Sequence, residues 1–232
     1  MPPQLQNEHG VLSAVRQLLD ASMESDDVAD SMESLIGETS SLSLINMDAW
    51  ERRIRDEVFR VEQSKSRFRW KFWKRPVRFA CWLDLCSWDG FKRERVLRAL
   101  SQGAPNGFFY VLLLRRLNDW VPEVRAAARD KLLQVAVISN PEHIVDALWS
   151  ILTNWNMWGH IGDQERNVLA KLVCIEEVAV ALKSRILKSP TGRVAEIFAQ
   201  LGRAQGLDQW IVEIAEAAVQ PAVRAKAYRI RY

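Results

Sequence analysis

The sequence predicts an all-α fold of stacked helical hairpins, and three observations carry that prediction. Residues 107–138 read as two helices around a short polar turn. The order Pro-x-Val-Arg-x-x-Ala occurs twice, at Pro122, Val124, Arg125 and Ala128 and at Pro221, Val223, Arg224 and Ala227. Arg93 stands at a looser third match, and the spacings Arg93 to Arg125 to Arg224 are 32 and 99, the latter three intervals of 33.

In the central unit, residues 108–114 are apolar without alternation, which fits a buried strand or a buried helix. The flanking Pro105, Asn106 and Gly107, with about three turns of non-breaking residues after them, select the helix. A helix apolar on all sides is buried between neighbours. Seven apolar residues fall far short of the roughly 20 that span a membrane. Pro122 suits the first turn of the next helix, where its missing N–H is not needed. Val124, Ala128, Leu132 and Val135 then form one face.

Asp119 in the turn, Pro122, Val124, Arg125, Ala128 and Leu132 resemble the second half of a HEAT-like repeat. The resemblance covers roughly residues 76–232 and is strongest at Pro122 with Arg125 and at Pro221 with Arg224. It implies a right-handed α-solenoid of about four to five HEAT-like hairpins with an N-terminal helical extension. The period is shorter than the roughly 40–47 residues of HEAT and armadillo units and nearer to ankyrin and TPR, whose signatures are absent. Arg224 has no Asp six residues before it, which places an Asp–Arg contact in question there.

Elsewhere the elements come in this order. Val11, Leu12, Val15, Leu18 and Leu19 predict a short amphipathic helix. Residues 18–51 hold nine acids and no Lys or Arg, with Val28, Met32, Leu35 and Ile36 keeping a helical period. Residues 39–43 read as a loop. Trp50, Ile54, Val58 and Val61 share one side of a helix over 47–63. Residues 52–78 then carry eleven Lys and Arg against three acids, and a helix over 77–86 opens the repeats. Later helices start at Asn140 with Pro141, near Asp163, at Ile175, at Ser189 with Pro190, near Leu207 and at Pro221. The expected division is an acidic-then-basic helical region over 1–63, a basic-aromatic connector over 64–75 and a repeat domain over 76–232.

The terminal helix ends without a polar cap, although solenoids require capped ends. That predicts an end covered by a partner or by further repeats. The three cysteines, Cys81, Cys86 and Cys174, read as buried free thiols of a reducing compartment. The N-terminus has no signal-type pattern. We expect a cytoplasmic protein of bacterial type.

Candidate binding residues fall in two places. Cations and aromatics alternate through Arg67, Arg69, Trp70, Lys71, Trp73, Lys74 and Arg75, where cations would meet phosphates and aromatics would stack on bases. The structural alternative is a connector whose aromatics pack on the first repeat and whose cations face the acidic region. Trp155 and Trp158 occupy a long turn and serve either a partner or the packing beneath that turn. Asp119, Pro122, Arg125, Pro221 and Arg224 are expected to be structural, tying turns to neighbouring helices.

Signals for catalysis are thin. The histidines, His9, His143 and His160, show no metal or triad spacing, no glycine-rich phosphate loop occurs, and no cofactor is expected. Some HEAT-like proteins are DNA glycosylases that use Trp, Asp and Arg, but their motif does not align here. The expected function is a non-catalytic scaffold that binds a protein through the concave face of its second helices, beginning at Gly90, Pro122, Asp163, Pro190 and Pro221. The alternative is nucleic-acid binding through residues 65–75. No integral membrane insertion is expected.

Overall fold

The computed structural model describes residues 7–24, 28–66, 81–201 and 207–231. Among them there are α-helices and short 3-10 turns and no strand. The N-terminal part comprises α1 (Glu8–Glu24), α2 (Val28–Ser40) and α3 (Met47–Ser66). Helix α1 packs on both of the others. Val11, Val15 and Leu18, Met32 and Leu35, and Trp50, Ile54 and Val58 are buried as their helical spacing requires. Ion pairs from Arg16 to Glu57 and from Arg53 to Glu8 join α1 to α3.

After α4 (Cys81–Asp84) the helices alternate in two rows. In one row α5 (Gly90–Ala99) packs on α7 (Pro122–Val137), and α7 on α9 (Asp163–Val173). In the other, α6 (Gly107–Arg115) packs on α8 (Pro141–Leu152), α8 on α10 (Glu176–Lys188), and α10 on α12 (Ile211–Ala217). Helix α11 (Val194–Leu201) packs against α8 and α13 (Pro221–Arg231), and α13 against α12.

Helix α6 is the central element. Every residue from Gly107 to Leu114 is buried, because α2 and α3 contact it as well as α7 and α8. Its start is fixed by Asn106, whose Oδ1 accepts from the Phe109 N–H at 3.3 Å. The Nδ2 of the same side chain donates to Thr39 Oγ1 at 2.9 Å, at the end of α2. One buried asparagine therefore ends one helix and begins another. Fully burying each large apolar side chain of α6 contributes about 1.5–3 kcal/mol.

Local signals set most of the other starts. Pro122 and Pro141 take early helical positions, and Asn140 accepts from the Glu142 N–H at 3.0 Å. The structure departs from expectation at several places, α3 among them, which runs past 63 to Ser66 and so into the expected connector. Helix α2 runs on to Ser40, with the Thr39 and Ser40 hydroxyls donating back to the Leu35 and Ile36 carbonyls at 2.7 and 2.6 Å. The helix expected from Ser189 and Pro190 starts only at Val194, after Gly192 turns the chain with φ of 90°. The segment from Leu207 divides into a 3-10 turn, Asp208–Trp210, and α12. Of the helix expected over 77–86, residues 77–80 lie outside the described residues, and α4 ends at Asp84 in a turn.

No helix among the described residues is long and apolar enough to cross a membrane. Cys86 is buried, as expected, whereas Cys174 is exposed just past the end of α9.

Candidate functional site

The three signature arginines make the same bond. Arg93 Nη1 donates to the Ser87 carbonyl at 2.8 Å, Arg125 Nη1 to the Asp119 carbonyl at 2.7 Å, and Arg224 Nη1 to the Ala218 carbonyl at 2.7 Å. Each acceptor lies six residues back, in the turn before the arginine's helix. The acceptor is main chain, so Arg224 needs no aspartate. The Asp119 carboxylate is thereby left to the preceding unit. Its two oxygens accept from Arg93 Nε and Nη2 at 2.9 and 2.8 Å, and from Arg116 Nη1 at 3.0 Å and the Val121 N–H at 3.0 Å.

This geometry opens a cleft of about 460 Å³ along the turns that precede α5, α7 and α9. Helix α3 contributes Glu51 and Arg55, and the end of α6 contributes Arg115 and Arg116. The Glu51 carboxylate is buried and accepts from Arg55, Arg115 and Arg116, the Arg115 Nε at 2.8 Å. Burial alone would push its pKa up, but the guanidiniums of Arg116, Arg115 and Arg55 outweigh that and hold it at about 2. Burial likewise opposes the Arg115 charge, and Glu51 and Asp48 reverse the balance and raise its pKa. Arg55 also donates Nε to the Cys86 carbonyl at 2.8 Å. Burial, with the nearby Glu51 charge, pushes the Cys86 thiol up to about 12, so this cysteine is not a nucleophile near neutral pH.

Tryptophans wall the cleft. Trp88 is 58% exposed with the Arg55 guanidinium 4.8 Å from its ring centre, and Trp120 is 70% exposed with Arg93 at 5.9 Å. Trp158 and His160 also line the cleft, and the His160 N–H donates to Asn118 Oδ1 at 2.9 Å. Phe91, in the first turn of α5, is 81% exposed. Trp88 and Trp120 each stand five residues before an arginine, Arg93 or Arg125, in turns that carry the same arginine–carbonyl bond.

The sequence-predicted candidates are dispersed. Arg67, Arg69, Trp70, Lys71, Trp73, Lys74 and Arg75 lie outside the described residues. Trp158 lines the cleft, whereas Trp155 is half-buried beneath Arg166 and lines a separate cavity of about 270 Å³. Pro122 and Pro221 open α7 and α13, and Asp119, Arg125 and Arg224 hold turns through the bonds given above. Within the acidic stretch, Asp48 and Glu51 take Arg115, and Glu51 also takes Arg55 and Arg116. Residues that sequence reasoning did not single out are Trp88, Trp120, Arg55, Arg115, Arg116 and Glu51. The equal offsets of the two tryptophans from their arginines were the available signal. Among the described residues no His, Cys, Asp and Glu cluster has the form of a metal site.

No family model, no curated protein and no solved structure matches the chain.

Proposed function

We propose that the protein is a non-catalytic scaffold, a right-handed solenoid of HEAT-like hairpins, that binds a partner protein. The two rows of helices and the shared bond of Arg93, Arg125 and Arg224 support the repeat reading. The observation that carries the binding reading is the exposure of Trp88 and Trp120 beside the arginines of the cleft. Exposed aromatic surface of this kind marks interaction sites, and Trp and Arg lead the residues that dominate binding energy at interfaces. The binding surface is therefore assigned to the turn edge rather than to the faces of the second helices.

The acids of the cleft favour binding over catalysis. Glu51 is held by three arginines with its pKa lowered to about 2, which leaves it a poor base near neutral pH.

The test is capture of partners from source-cell lysate by the tagged full chain, after nuclease treatment, beside a Trp88→Ala/Trp120→Ala variant. The expected result is a discrete protein retained by the native chain and lost with the variant. Recovery of nucleic acid that nuclease abolishes, or the same proteins on both baits, would contradict the reading.

A further inference from the structure

We infer that the cleft takes a carboxylate presented by an acidic peptide segment of the partner, an inference that rests on the scaffold reading. The charge balance is the first ground. The guanidiniums of Arg55, Arg93, Arg115 and Arg116 face the carboxylates of Glu51 and Asp119 and the exposed one of Asp48. Among the described residues of the cleft and its rim, four cations stand beside three anions in a partly desolvated site, so the balance is positive. Electrostatic attraction is stronger there than in open water.

The second ground is Arg116. Its side chain is 6% exposed and bonds Glu51 and Asp119, yet its Nε has no acceptor among the described residues. A buried guanidinium N–H without an acceptor is costly and rare. A carboxylate entering the cleft gains charge-assisted bonds from the partly exposed arginines, Arg55 and Arg115, beside this cluster.

The third ground is shape. A volume of about 460 Å³ lies within the range of sites that hold small ligands or a few side chains. Trp88 and Trp120 offer flat faces on which the residues beside the carboxylate stack. Nucleic acid fits less well. Phosphate-backbone binding draws on several free cations, whereas Arg55, Arg93, Arg115 and Arg116 are each already ion-paired.

The experiment is an NMR titration of the full chain that follows the indole N–H signals of Trp88 and Trp120, assigned with Trp88→Phe and Trp120→Phe. The probe is N-acetyl-Glu-Phe-amide. Its controls are N-acetyl-Gln-Phe-amide and a ten-residue oligo-dT. The expected result is saturable shifts at both indoles with the Glu probe, at least tenfold weaker binding of the Gln probe, and at least fivefold weaker binding to Trp88→Ala. Trp88 is largely exposed, so that variant keeps its fold, as a thermal melt verifies. Equal binding of the Gln probe, no saturable shift, or tighter binding of oligo-dT at the same signals would overturn the inference. Its failure alongside intact, tryptophan-dependent protein capture would remove the carboxylate chemistry alone. Failure of both would remove the scaffold reading as well.

Discussion

Arg93 and Asp119 stand 26 residues apart and close a two-point ion pair in which both side chains are almost wholly buried. The pair links the start of α5 to the turn before α7. The same arginine caps the Ser87 carbonyl, and the same aspartate receives Arg116. Two successive turns are thereby locked together, and the tryptophans they carry are held on one edge.

Breaking that pair on one side leaves a buried charge without its partner. Arg93→Ala or Asp119→Ala is expected to cost about 3–5 kcal/mol. The double variant Arg93→Ala/Asp119→Ala is expected to cost clearly less than the sum of the single changes. Urea unfolding of the four chains measures the coupling. Additive losses would show that the two residues do not act as a pair.

Glu51 sets the acid limb of stability. Its pKa is about 2 in the folded chain, against about 4.3 for an unfolded glutamate. Its contribution is thus complete above about pH 4.3 and is lost as pH falls from there through about 2. A depression of this size corresponds to roughly 3 kcal/mol. Glu51→Gln is expected to be less stable at pH 7 and to lose less further stability between pH 5 and pH 3 than the native chain. Melting temperatures across that range provide the measurement, and parallel acid limbs would contradict the assignment.

Gly103 is required by a close approach of backbone. A Cβ there would stand 2.2 Å from the Ile138 carbonyl oxygen, closer than atoms can pack. Gly103→Ala must push the turn before α6 away from the end of α7, at an expected cost of about 1–3 kcal/mol. Gly37 has open space around its position, so Gly37→Ala serves as the control, with equal or greater stability. A thermal melt in which Gly103→Ala matches the native chain would refute the claim.

The helical class was legible because its signals are local. Pro122, Pro141, Pro221 and Asn140 each mark a helix start within a few residues of sequence, and each start is found there. A start signal misleads where a later residue cancels it. Pro190 marks no start, because Gly192 intervenes before Val194. The cleft was less legible, since it joins residues distant in sequence. Glu51 reaches Arg115 and Arg116 across 64 and 65 positions, and in sequence it is merely the last member of an acidic run. Trp88 and Trp120 were within reach, because each keeps the same offset from its arginine. Trp155 and Trp158 are three residues apart in one turn but line different cavities, a division that only packing decides.

If the turn edge, rather than the helix faces, meets the partner, site-specific photocrosslinking in the source cell will find the partner there. A photoreactive phenylalanine derivative is placed at Trp88 or Trp120, and in parallel at Arg95, Gln134 or Lys171, which are exposed on α5, α7 and α9. The expected outcome is one crosslinked protein common to positions 88 and 120 and absent from the other three. Crosslinks confined to Arg95, Gln134 and Lys171, with none at the tryptophans, would show that the helix faces make the contact instead.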